Sequence, residues 1–158
     1  MTKTQYRRRK ENKTDYNARL GMLKSGRPRI VIRKTNKYII LQLVVSDIGR
    51  DKVVISANSH ELLEKGWPKE KKGSLKSISA AYLTGLLFAK KCNGKAADAI
   101  VDTGLYRNVR QSRIYAALKG LIDGGMKVPH SKEVFPSEER IKSNPKVGLL
   151  VEWLREKI

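Results

Sequence analysis

Apolar positions along this chain change their period several times, and the changes mark its elements. Residues 1–13 are polar and charged with no apolar periodicity, which predicts a segment that stays disordered until a partner neutralises it. From Thr14 to Ser25, Tyr16, Leu20 and Leu23 recur at helical spacing, and Gly26 supplies a stop. Three strand-like runs follow: Arg29 to Lys34 around Ile30, Val31 and Ile32, then Tyr38 to Val45, then Lys52 to Ala57 around Val53, Val54 and Ile55. The connections Thr35-Asn36-Lys37 and Ser46 to Arg50 are short and turn-rich, so the runs should pair as antiparallel hairpins. Ser59 can cap a brief helix through His60 to Lys65, which Gly66-Trp67-Pro68 breaks.

After a charged loop at 69–74 comes a helix from Leu75 to about Cys92 that is apolar on most sides, with Ala80, Ala81 and Gly85 suited to close packing. Ala97 to Val101 reads as a short buried strand closed by Asp102-Thr103-Gly104. Gln111 to Ile122 reads as a helix with Ile114, Ala117, Leu118, Leu121 and Ile122 on one face, stopped by Gly124-Gly125. A Pro- and Ser-bearing charged loop (128–145) leads to a last helix carrying Val147, Leu150, Val151 and Leu154. Three antiparallel strands plus a helix-linked fourth predict an α/β fold, a mixed four-stranded sheet packed by helices. The chain divides into a basic tail with a short helix (1–26), an α/β domain (27–127) and a C-terminal loop and helix extension (128–158).

Charge then changes the picture. Residues 1–38 hold thirteen Lys or Arg against Glu11 and Asp15, a local +11 out of a formal +19 for the chain. Like charges at that density oppose compaction, and the partner they suit is a polyanion, most commonly nucleic acid. The run Arg7-Arg8-Arg9-Lys10 continues through Lys13 and Arg19 into Arg27, Arg29 and Arg33, so a plain localisation tail does not account for it. Strand alternation puts Arg29 and Arg33 on one side of the sheet, beside Lys34 and Lys37, where guanidinium forks match successive phosphates. A second basic patch, Arg107, Arg110 and Arg113, is spaced by three at the mouth of a helix whose free N–H groups favour anions. Ser112 in that patch reads as the helix cap.

Other chemistry is sparse. Asp47, Asp51, Asp98 and Asp102 would have to gather to make a two-metal nuclease, but two of them sit at a hairpin turn and one ends a strand. His60 and His130 lack metal-ligand spacing, and no phosphate-binding glycine loop or nucleophile elbow is present. Cys92, the single cysteine, excludes an internal disulfide, fits a reducing cytoplasm and reads as packing. The start is too polar for a secretory signal, no apolar run approaches the ~20 residues that span a bilayer, and the basic run lacks the apolar face of a membrane-surface helix.

The residues also carry a resemblance. Arg7-Arg8-Arg9-Lys10-Glu11-Asn12-Lys13-Thr14-Asp15-Tyr16-Asn17-Ala18-Arg19, Pro28-Arg29, Arg33-Lys34-Thr35-Asn36-Lys37 and His60-Glu61-Leu62 occur in order. They are followed by Ala80-Ala81-Tyr82-Leu83-Thr84-Gly85-Leu86-Leu87, Ala117-Leu118-Lys119-Gly120, Asp123-Gly124-Gly125-Met126, Val128-Pro129-His130-Ser131 and Phe135-Pro136. Together they resemble the 5S-rRNA-binding large-subunit ribosomal proteins of the L-eighteen family, called L-five in eukaryotes, in their archaeal form. The resemblance implies a ribonuclease-H-like topology without catalysis or cofactor, 5S rRNA, large-subunit rRNA and neighbouring central-protuberance proteins as partners, and a cytoplasmic ribosome as location. It implies RNA contacts at Arg7, Arg8, Arg9, Lys10, Lys13, Arg19, Arg27, Arg29, Arg33, Thr35, Asn36, Lys37, Arg107, Arg110 and Arg113. Asn36 is a base reader or a turn residue, and Tyr38 and Tyr106 either stack on bases or pack. The alternative function is a generic basic DNA- or RNA-binding chaperone.

Overall fold

A computed structural model describes residues 4–47, 50–93, 98–142, 151–152 and 156. Two short helices, α1 (Arg7–Lys10) and α2 (Tyr16–Lys24), precede strands β1 (Arg29–Lys34), β2 (Ile39–Asp47) and β3 (Arg50–Asn58). Helix α3 (Ile78–Cys92), strand β4 (Ile100–Asp102) and helices α4 (Arg113–Asp123) and α5 (Glu138–Ile141) complete the order, with 3-10 turns at Ser59–Leu63, Lys69–Ser74 and Lys132–Val134.

The sheet order is β3-β2-β1-β4. β1 and β3 flank β2 antiparallel, and β4 lies parallel to β1 with Arg29 opposite Ile100. This is the mixed four-stranded α/β sheet that the sequence predicts. Alternation along β1 sends Ile30 and Ile32 to one face, where they join Leu41, Leu43, Ala57 and the helices in one core. α3 is buried at every position except Ile78, Lys90 and Lys91, as expected of a helix laid between a sheet and a second helix. Gly85 and Gly120 let the backbones of α3 and α4 meet, since a Cβ built on either would stand 2.2 Å from the carbonyl oxygen of Ala117 or 2.0 Å from that of Tyr82. The C-terminal extension also reaches the core: Val128, Ile141 and Val151 are buried in it, and Ser79 Oγ donates to the Ile141 carbonyl.

Several boundaries differ from expectation. α3 begins at Ile78 rather than Leu75, because Ser77 caps it by accepting from Ala80 N–H, and the charged 69–74 stretch coils into a 3-10 turn. β4 lies at Ile100–Asp102, three residues later than expected, and α4 spans Arg113–Asp123. The short helix after β3 is capped by Asn58 and Glu61 in a reciprocal box, while Ser59 is buried and accepts from Ile39 N–H. The basic tail holds a one-turn helix where disorder was expected; Arg8 Nε donates to Thr14 Oγ1 and Lys13 pairs with Glu11. α2 forms over the expected residues, capped by Asp15, yet none of its residues is buried and Leu20 is 52% exposed. The expected last helix, with Val147, Leu150 and Leu154, lies outside the described residues, as does Ala97.

Candidate nucleic-acid interface

The face of the sheet away from α3 carries the arginines, and Asp102 and Asp51 interleave with them. Arg33 Nη2 lies 3.0 Å from Asp102 Oδ1, Arg29 Nη1 3.3 Å from Asp102 Oδ2, Arg29 Nη2 2.7 Å from Asp51 Oδ1, and Arg19 Nη2 2.7 Å from Asp51 Oδ2. The result is an alternating row, Arg33–Asp102–Arg29–Asp51–Arg19, that ties β4, β1, β3 and α2 together. Ser46 Oγ donates to Asp51 and accepts from Arg29, and Gly104 N–H donates to Asp102. Gly104 is at φ +65°, where a side chain would be strained, and a Cβ there would stand 3.0 Å from the Arg33 guanidinium and press on it.

This corrects one expected contact. Arg29 shares a sheet face with Arg33, as alternation predicts, but its side chain is only 2% exposed and both its charge partners are carboxylates. It cannot present its guanidinium to a phosphate in this structure; it is the buried centre of the row. Arg33 and Arg19 are the row's ends, 37% and 32% exposed, and they keep a face toward solvent.

Burial works against the Asp51 carboxylate, but hydrogen bonds from Ser46, Arg19 and Arg29, with the Arg29 charge, hold its pKa at about 2 against an ordinary 3.8. A depressed carboxyl pKa stabilises the folded arrangement fully above the unfolded value and ceases to do so as pH falls through the folded one. The arm–body contact through Arg19 is therefore expected to be constant from neutrality down to about pH 4 and to loosen only toward pH 2. The Asp51 carboxyl carbon, followed by NMR, should titrate near 2; a midpoint at the ordinary value would refute the row.

Two clefts share Tyr106 in their walls. The first, of about 490 Å³, lies between the N-terminal helices and the loop after β4, with Arg8, Lys13, Arg19 and Arg33 in its walls. The second, of about 570 Å³, gathers Lys34, Arg107, Arg110 and Arg113. Tyr106 lines both, its hydroxyl donating to the Lys34 carbonyl and its ring 5.6 Å from Lys34 Nζ. The structure thus brings the basic tail and the second basic patch, about a hundred residues apart in sequence, to two clefts that share Tyr106.

Other expected residues stand apart from the clefts. Arg7, Arg9 and Lys10 are exposed on α1, with Arg7 3.9 Å from Glu11. Arg27 pairs with Asp98 at 3.4 Å, both half or more exposed, a bond of ~0–1 kcal/mol. Thr35 closes the β1–β2 turn, its hydroxyl accepting from Tyr38 N–H and donating to the Tyr38 carbonyl, and leaves Asn36 and Lys37 exposed at the tip. Tyr38 packs edge-on to His60. Cys92 is buried, and burial pushes its thiol up to about 11, the property of a packing residue. Arg140 was missed by sequence reasoning; it joins the second cleft from α5, and no local spacing signals it.

The fold and this surface define a basic α/β scaffold with charge arranged for a polyanion. The family model of ribosomal large subunit proteins 60S L5 and 50S L18 matches residues 2–97 and 90–131, and the chain belongs to that family of large-subunit ribosomal proteins. It is similar to the large ribosomal subunit protein uL18 of Methanoculleus marisnigri, 48% identical over 138 residues that cover 87% of this chain and 77% of the relative. It is similar also to the uL18 proteins of Korarchaeum cryptofilum (46% identity, 89% and 70% covered) and Methanoregula boonei (43%, 92% and 86%). These relatives are structural proteins of the archaeal ribosome, and the chain is a ribosomal constituent rather than an enzyme. Of the acidic residues considered for a nuclease, Asp51 and Asp102 pair with Arg19, Arg29 and Arg33, and Asp98 pairs with Arg27.

Proposed function

We propose that the chain binds 5S rRNA and helps attach it to the large-subunit rRNA in the central protuberance. The observation that supports this reading is the pair of basic clefts that share Tyr106, one lined by Arg8, Lys13, Arg19 and Arg33 and the other by Lys34, Arg107, Arg110 and Arg113. Phosphate contacts supply affinity there, and RNA shape with unpaired bases supplies choice. Arg7, Arg9 and Lys10 on α1, and Asn36 and Lys37 at the hairpin tip, extend the same role outside the clefts. The basic arm suits this task because no residue of α2 is fully buried and Arg19 anchors it to Asp51, so a competing phosphate can draw it off the body.

The test is a salt titration of binding to 5S rRNA beside tRNA and a DNA duplex of similar length. With about six or more phosphates engaged, log K should fall with log salt at a slope steeper than about −4. A preference for 5S rRNA that persists as salt rises supports the proposal. Equal affinities that vanish together identify a generic basic binder and overturn it.

A further inference from the structure

The second cleft has walls of two different chemistries. Its cationic wall is Lys34, Arg107, Arg110, Arg113 and Arg140, none of which pairs with a carboxylate among the described residues. Its apolar wall is Ile78, Tyr106, Val109 and Ile114, and Val109, next to Arg110 in the chain, stands 53% exposed. A patch that only meets the phosphates of a duplex has no use for the second wall. A patch that meets an apolar protein surface has no use for five unpaired cations. A nucleotide needs both.

The backbone around the cleft is built in keeping with this. α3 and α4 begin at the same end of their packed interface, and Ser77, Ile78, Ser112 and Ile114 all border the cleft, so the first turns of two helices converge on it. Ser112 occupies the cap position of α4 but caps nothing: its hydroxyl oxygen is closed to water and has no partner. The first N–H groups of α4 are therefore left without a side-chain cap, where an anion is favoured. Gln111, at φ +57°, is pinned in that left-handed conformation by its N–H to the Val134 carbonyl at 2.8 Å and by Arg140 Nη1 to its Oε1 at 2.7 Å. The loop bearing Val109 and Arg110 is therefore held in place before any ligand arrives.

We propose that this cleft takes one unstacked nucleotide of the bound RNA, its phosphate on the arginines and the helix starts, its base against Val109, Tyr106 and Ile78. The inference rests on the rRNA reading above and specifies how the RNA is read. A nucleotide stacked within an A-form stem turns its base inward, and the deep groove of such a stem is closed to side chains, so the occupant comes from a bulge, loop or end. The volume, about 570 Å³, falls within the ~300–1,000 Å³ of clefts that hold small ligands.

The test uses the full-length protein without RNA. Methyl and amide NMR spectra are followed through titrations with adenosine 5′-monophosphate, inorganic phosphate and adenosine. Saturable, concerted shifts of the Val109 and Ile78 methyls and the Ile114 amide are expected with the nucleotide, at an affinity about tenfold or more above that for phosphate, as base stacking contributes. Val109→Ser should reduce the ratio of nucleotide to phosphate affinity severalfold, whereas Arg113→Gln should weaken both. Equal affinity for phosphate and nucleotide with stationary methyls would identify a plain anion patch and overturn the proposal, as would the absence of saturable shifts. These titrations contain no rRNA, so they stand or fall separately from the preference for 5S rRNA.

Discussion

Alanine at Gly120 is expected to destabilise the domain by about 3 kcal/mol or more, at the upper end of what overpacking costs. The reason is that the new methyl meets backbone rather than a side chain. It would lie 2.0 Å from the Tyr82 carbonyl oxygen and 3.0 Å from Leu86 N, and neither can rotate away. Gly85→Ala meets the same obstacle from the other helix, 2.2 Å from the Ala117 carbonyl oxygen. Either change must part α3 from α4, and with them the core they share with the sheet. Helix propensity alone predicts the opposite sign, since alanine is favoured over glycine in a helix by about 1 kcal/mol. Gly21, in α2, has nothing within 4 Å of a built Cβ, and Gly21→Ala should not lower the urea midpoint. A midpoint that rises for Gly120→Ala would show that the two backbones are not in contact.

Asp102→Ala is the second large change, expected to cost about 3–5 kcal/mol, the range for removing one partner of a buried ion pair. Asp102 accepts from Arg29, Arg33 and Gly104 N–H, and its loss leaves the buried Arg29 guanidinium with Asp51 as its remaining carboxylate. Arg29 Nε already lacks a partner, so the site has no reserve of acceptors. The measurement is equilibrium unfolding in urea, with the slope unchanged and the midpoint lowered. The double variant Asp102→Ala with Arg29→Met should recover much of the loss, because it removes the stranded charge as well as its partner. If the single variant costs no more than an exposed pair, the row does not hold β4 to the sheet.

These outcomes bear on how far the chain could be read from its residues. Periodicity sufficed for β1 to β3 and for α4, where apolar positions recur in register with the geometry of the element. It misjudged the start of α3 because Leu75, buried just ahead of the helix, continues the apolar pattern past the Ser77 cap. Tyr16, Leu20 and Leu23 do mark a helix, but the stripe is only partly covered: Tyr16 packs on Tyr6 and is half-buried with Leu23, while Leu20 stays 52% exposed. At the site, alternation correctly put Arg29 and Arg33 on one face. It could not tell that Arg29 is enclosed, since its partners stand at 51 and 102 and meet it only when hairpin and crossover have formed. Arg140 is invisible for the same reason. The local signals report spacing, whereas burial and convergence belong to the assembled sheet.

The separation of Arg29 from Asp102, 73 residues in sequence, has a consequence for synthesis. At ~5–20 residues per second, roughly 4–15 s pass between the appearance of the arginine and that of its second carboxylate. Until then the first three strands hold a guanidinium that Asp51 alone must balance, which disfavours closing that face and leaves the nascent hairpins wet. The last strand to arrive, β4, brings the missing charge and its hydrogen-bonding partners together, so sheet completion and charge balance coincide. A nascent chain therefore carries its most highly charged segment free and ahead of a body that is not yet closed.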